Sequence, residues 1–370
     1  MKVILAKNSG FCMGVRRAVE TAKKIYGQGV YILGEIIHNE SVTDEIKRLG
    51  TKIIDSPDEV DNGTVIIRSH GVGKDVYDKL EAKGIKIIDC TCPFVLKIHN
   101  IVKKYHAEGY RIIITGEKDH PEVVGINGWC DNSAVVIDED YESVSLDEAE
   151  KICLVSQTTF PETRFKKILE FFSKKTLKTL EVFETICYTT RERQEEAEIL
   201  SKTCDAMVVV GGKHSSNTKK LMRICQGNCE SVYFISNPDE LNYKNFRNYK
   251  KVGIVAGAST PNEQSMEVFI NMEETNEVKS SNTMEEAMSA MGDSQPKFRI
   301  GQKITATISA ATDDGLALYI NNTKKEIMLP KDEMVCENYN KADYAAKVGE
   351  DIEVMIVELN PVKLSEKAIV

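Results

Sequence analysis

The 370 residues carry a net charge of -9, with 42% hydrophobic and 28% charged residues. This is the composition of a globular chain long enough for about two to four domains. It argues against nucleic-acid binding driven by bulk positive charge, and no apolar run reaches the ~18 residues of a membrane span. The opening, MKVILAKNSG, turns polar too soon for a secretory signal, so a cytoplasmic location is expected.

From residue 1 to about 270, short apolar runs alternate with amphipathic stretches, the pattern of an α/β region. The expected strands are KVILA (2–6), VYILG (30–34), TVIIRS (64–69), IKIID (85–89) and RIIIT (111–115). SAVVI (133–137), KICLVS (151–156), DAMVVVG (205–211), SVYFIS (231–236) and KVGIVAG (251–257) follow. Strands so short and apolar suit small parallel sheets covered on both faces. The segment 272–294 is acidic and weakly patterned, and reads as a linker with a short helix at TMEEAMSAM. Beyond it the period changes to that of five short strands with Gly-Asp turns, the count of an oligonucleotide-binding type of β-barrel.

Ten cysteines occur, at 12, 90, 92, 130, 153, 187, 204, 225, 229 and 336, and none forms a CxxC pair. In a cytoplasmic chain they divide between buried thiols, metal ligands and catalytic groups. Cys12, Cys92 and Cys187 each open a helical stretch: CMGVRRAVETAKKIY, CPFVLKIHNIVKKYH and CYTTRERQEEAEIL. Their spacings of 80 and 95 residues match one small α/β unit each. A helix amino end favours a thiolate, and three units about a pseudo-threefold axis bring three thiolates to one point. Spacing alone points to an iron–sulfur or zinc site with an open position. It predicts units at 1–90, 91–186 and 187–271, the linker 272–294, and a barrel over 295–370.

Several expected strands end in polar residues. His38 follows the second and His70 the third; GEKDHPEVVG supplies His120 and Glu122. Thr158 and Thr159, then Ser215, Ser216 and Asn217, then Ser259 stand at helix starts. Each hydroxyl or amide there also reads as a plain helix cap. Together with imidazoles and backbone N–H groups they make a site for a small phosphorylated anion beside one carboxylate. No GxxxxGK[ST] phosphate loop is present.

The strings NSGFCMGVRRAV, GEIIHN, RSHGVG, CTCPFV, DHPEVVG, SQTT, ETICYTTRERQ, GGKHSSNTKKL and AGASTP resemble the 4-hydroxy-3-methylbut-2-enyl diphosphate reductase family, over residues 8–262. The resemblance implies an iron–sulfur oxidoreductase of non-mevalonate isoprenoid biosynthesis. Such an enzyme reduces (E)-4-hydroxy-3-methylbut-2-enyl diphosphate to isopentenyl and dimethylallyl diphosphate. It implies three pseudo-symmetric α/β units around a central [4Fe-4S] cluster, held by Cys12, Cys92 and Cys187 with one iron open. It places the diphosphate on His38, His70, His120, Ser215, Ser216, Asn217 and Ser259. Glu122 takes the proton-delivery role, with His120 and Thr158 beside it, and a ferredoxin or flavodoxin supplies electrons. Arg68 before Ser69 and His214 before Ser215 are local departures from the pattern.

The C-terminal segment, ending in VKLSEK, resembles the S1 RNA-binding domain and implies contact with RNA or the ribosome. Residues 297–370 hold ten Lys/Arg against twelve Asp/Glu, a net of -2. One such barrel is expected to bind RNA weakly, at about 10⁻⁴ M near physiological salt. The alternative is a non-catalytic RNA-binding protein on a degenerate enzyme scaffold. No motif residue lies beyond Ser259, so a chain ending near residue 285 is expected to keep its activity.

Overall fold

The computed structural model describes residues 1–138, 140–142, 144, 151–175, 179–275, 298–320, 326–336, 339–359 and 361–369. The linker expected at 272–294, with its short helix, lies outside the described residues from 276 onward.

Among the described residues up to 275, the strands form three four-stranded parallel sheets. The first contains β2 (Val30–Leu33), β3 (Lys52–Ile54), β4 (Thr64–Ile67) and β5 (Lys86–Asp89), in the order β3-β2-β4-β5. The second contains β6 (Arg111–Thr115), β7 (Val135–Ile137), β8 (Lys151–Ser156) and β9 (Thr179–Val182), in the order β7-β6-β8-β9. The third contains β10 (Ala206–Val210), β11 (Val232–Ile235) and β12 (Lys251–Ala256). Its fourth place, beside β12, is filled by β1 (Lys2–Leu5) from the other end of the sequence. Chain order alone groups β1 with the first unit; hydrogen bonding puts it in the third sheet.

Each sheet thus has the same winding, and each fourth strand leads into a helix that packs on the next sheet. From β5 the chain enters α4 (Pro93–Ala107), whose Val95, Ile98 and Val102 are buried, the last two against Ile112 and Ile114 of the second sheet. From β9 it enters α7 (Tyr188–Thr203), whose Ala197 and Leu200 cover Met207 and Val209 of the third. From β1 it enters α1 (Met13–Lys24), whose Val15, Ala18, Val19 and Ala22 cover Ile32 and Ile66 of the first. The three crossings close into a ring, and a cysteine stands at each: Cys92, Cys187 and Cys12 are the N-cap residues of these helices.

Both faces of the central strands are covered, as the unbroken apolar runs require. In the second sheet Ile113, Ile152 and Leu154 face Phe165, Ile168 and Phe172 of α6 (Glu162–Lys175), while Ile112, Ile114 and Val155 face the opposite way. Phe172 is fully buried. Phe172→Ala is therefore expected to lower stability by about 3–5 kcal/mol, measured by denaturant unfolding; a loss below 1 kcal/mol would show that the α6 face is not packed as described.

The C-terminal part is a five-stranded antiparallel barrel of β13 (Lys303–Thr312), β14 (Gly315–Ile320), β15 (Glu326–Pro330), β16 (Asp351–Leu359) and β17 (Val362–Ser365). The order is β15-β14-β13-β16-β17, with Ile308, Leu316, Leu318, Val354 and Ile356 in its core. The expected architecture, three similar parallel α/β units and a five-stranded barrel, is the one observed. Among the described residues, no helix is long and apolar enough to cross a membrane.

Candidate active site

The shared winding explains why residues so far apart in sequence meet. Parallel α/β sheets present their loops at the carboxyl ends of the strands, and equivalent loops of the three units carry equivalent groups. After the first strand of each unit stand His38, His120 and Ser215; after the third stand His70, Thr158 and Ser259. After the fourth stand Cys92, Cys187 and Cys12. All nine line one cavity of about 90 Å³ at the centre, joined by Glu122, Ser216 and Asn217. The structure brings every residue singled out above to this cavity.

Three imidazoles form one wall. The rings of His38 and His70 are 4.5 Å apart, and each lies 5.6 Å from His120. The backbone N–H of Glu122 donates to Nδ1 of His120 at 3.1 Å, which leaves the ring proton on Nε2. Burial, then the charge of neighbouring groups including Arg68, lowers His70 well below the ordinary imidazole range and takes His120 to about 3. Burial likewise lowers His38, partly offset by Glu35. The three rings are therefore neutral at physiological pH. Nε2 of His38, Nδ1 of His70 and both side-chain atoms of Asn217 are buried without a hydrogen-bond partner in the protein. Such groups are costly to leave unpaired, and mark where a polar ligand is to be held.

Glu122 sits opposite, only 3% exposed. Thr158 donates its backbone N–H to Oε1 at 2.6 Å and its hydroxyl to Oε2 at 2.7 Å. Burial outweighs these bonds and raises the carboxyl above its usual range. Ser216 donates to Oε1 of Glu117 at 2.5 Å and accepts from Nζ of Lys220 at 2.8 Å, and Lys220 and Glu117 pair at 2.9 Å. Burial alone would raise Glu117, but Lys220 and Ser216 bring it down to about 2. Sequence reading missed this support for Ser216, although both partners stand within motifs already quoted, GEKDHPE and SSNTKKL.

The cofactor expectation is corrected. Among the described residues, the group whose metal-ligating atoms all lie within 4.8 Å of one another is His38, His70 and His120, not the three cysteines. Cys12, Cys92 and Cys187 line the same cavity but form no such group, and all ten cysteines are free thiols. Helix amino ends were expected to favour thiolates. Instead burial, with the repulsion of neighbouring thiols, pushes Cys92 upward, and burial takes Cys187 to about 11. None of these helices has a side-chain hydrogen bond at its cap, so the thiols are not spent on capping.

Residues 3–273 match the family model described as LytB protein. The chain belongs to the LytB family. A LytB relative from Thermoanaerobacter sp. (strain X514), named 4-hydroxy-3-methylbut-2-enyl diphosphate reductase, is 47% identical over 269 residues, 70% of this chain and 93% of the relative. A relative of the same name from Clostridium acetobutylicum is 38% identical over 369 residues, 97% of this chain but 56% of its own length. That alignment extends through the barrel. Two solved structures are similar. One, described as (E)-4-hydroxy-3-methyl-but-2-enyl diphosphate reductase, the terminal enzyme of the non-mevalonate pathway, is 38% identical with a TM-score of 0.56, covering 74% of this chain and all of that one. The other, E-1-hydroxy-2-methyl-but-2-enyl-4-diphosphate reductase from Plasmodium falciparum, is 28% identical with a TM-score of 0.68, covering 73% and 87%.

Proposed function

We propose that this LytB protein reduces (E)-4-hydroxy-3-methylbut-2-enyl diphosphate to isopentenyl and dimethylallyl diphosphate. The observation that carries the reading is the convergence of unpartnered buried polar atoms, on His38, His70 and Asn217, beside a carboxyl that burial raises above its usual range. The relatives' names supply the substrate.

The diphosphate lies against His38, His70, His120, Ser215, Ser216, Asn217 and Ser259. The charge of Arg68 bears on all three imidazoles and that of Lys220 on His120, so the local potential suits an anion better than a cation. The allylic hydroxyl points toward Glu122, which passes it a proton as the C–O bond breaks and water leaves. Thr158 keeps the carboxyl aimed. Two electrons and a second proton then complete the allyl group as either product. A ferredoxin or flavodoxin delivers the electrons.

Two measurements test this. Anaerobic incubation with the substrate and a reduced carrier should yield both products by mass spectrometry; no product from a folded chain would overturn the reading. Asn217→Ala should weaken binding of inorganic diphosphate by about 10- to 100-fold, the worth of hydrogen bonds to a charged group, read by calorimetry. The rival reading, an RNA-binding protein on a spent scaffold, predicts no effect of Asn217.

A further inference from the structure

Strand β14 departs from the pattern of its own barrel. Alternate residues of a barrel strand face inward and outward, and Leu316, Leu318 and Ile320 fill the core. Ala317 and Tyr319 face outward, yet they are 8% and 1% exposed. On the neighbouring β13, Thr307 and Ser309 are equally covered. One continuous patch of the barrel's outer surface is thus buried, and the α/β part covers it.

The contacts are specific. The Tyr319 ring lies 5.7 Å from Phe94 and 5.8 Å from Tyr188, and the two tyrosine hydroxyls hydrogen-bond. Arg17 donates to the carbonyl of Ser309 at 2.8 Å, and Lys97 pairs with Asp351 at 2.6 Å. Gly349 has φ +94°, and a Cβ there would stand 2.7 Å from both the Lys97 nitrogen and the Pro93 carbonyl. No other residue type allows that approach. Phe94 lines the central cavity two residues after Cys92, and Tyr188 directly follows Cys187. Phe94 and the three thiols line one cavity, so the Tyr319 ring, packed on Phe94, stands beside that cavity's wall.

We propose that the C-terminal barrel is the outer wall of the cavity's thiol end, with Tyr319 as the side chain that closes it. The complete enclosure is then a property of the whole chain, and a chain ending near residue 285 lacks one side of it. This holds whatever reaction the cavity serves.

The test is the rate at which N-ethylmaleimide labels Cys12, Cys92 and Cys187 in the full chain, with a chelator present, followed by peptide mass spectrometry. Cys153 and Cys225 are fully buried elsewhere and report unfolding. Tyr319→Ala should speed labelling of the three cavity cysteines by about tenfold or more, since a buried aromatic is lost from the seal, with Cys153 and Cys225 unchanged. Tyr319→Phe, which keeps the ring, should stay within about threefold of the unchanged chain. Equal rates in Tyr319→Ala and the unchanged chain would overturn the proposal. Should Tyr319→Ala also expose Cys153 or Cys225, the charge pair decides. Lys97→Glu should then speed labelling, and Asp351→Lys in the same chain should restore it; no change with Lys97→Glu would overturn the proposal.

Discussion

Glu122→Gln is expected to lower turnover by about 10²- to 10⁴-fold, the range for a lost proton-transfer group, with little change in diphosphate affinity. The amide has the carboxyl's shape, so its oxygen can still accept from the Thr158 backbone, and the Thr158 hydroxyl can turn to accept instead of donate. What is lost is the proton. Burial raises the Glu122 carboxyl, so its acid form persists to higher pH than that of an exposed glutamate. The unchanged chain should therefore lose rate as pH rises through that raised value, and the Gln variant should lack this limb. Steady-state turnover with a chemical reductant, across pH, reads both. Near-normal turnover in the variant would remove Glu122 from the proton path.

His99→Phe should change the acid stability of the fold by about 2 kcal/mol between pH 7 and pH 5. His99 is 1% exposed, stacks on Trp129 at 5.3 Å, and neither ring nitrogen has a hydrogen-bond partner in the protein. Burial takes its pKa to about 3, against about 6.5 in the unfolded chain. Above pH 6.5 neither state holds the proton and nothing is lost. Between 6.5 and 3 the unfolded chain takes up a proton that the folded chain refuses, so stability falls by about 1.4 kcal/mol per pH unit. Phe keeps the stacking and has no such proton. The stability gap between variant and unchanged chain should widen by about 2 kcal/mol from pH 7 to pH 5. Urea titrations at the two pH values give the comparison, and a gap independent of pH would show that His99 is solvated in solution.

Much of this was legible in the residues. Apolar runs such as RIIIT and DAMVVVG gave their strands because both faces are buried, and helix-opening cysteines marked the three crossings. Two strands escaped notice. Lys52–Ile54 is too short to carry a period, and Thr179–Val182 has Glu181 in its middle. The place of β1 could not be read from chain order, because a parallel pairing across the whole α/β part leaves no local signal. The polar residues of the cavity could be gathered because each follows a strand. The state of the thiols could not, since desolvation depends on what the fold puts around them. Tyr319 is one of only a few aromatics in the barrel sequence. Its signal was GLALYI, apolar at both alternating positions where a barrel with one wet face needs only one. The covered patch includes part of the second-strand surface on which barrels of this class engage oligonucleotides, which leaves less surface for RNA than the S1 resemblance implies.

The handover of β1 to the third sheet also fixes the order in which the protein comes into being. As the chain leaves the ribosome, Lys2–Leu5 emerges first, yet its partner, Lys251–Ile254 of β12, arrives about 250 residues later. At about 5–20 residues per second, that is a wait of roughly 12 to 50 seconds. The backbone of Cys12 is anchored on the same late segment, donating to the carbonyl of Ala258, and Phe11 donates to Asn262. No nascent chain shorter than this can hold its first cysteine in place, so the cavity is among the last parts of the α/β region to be completed during synthesis.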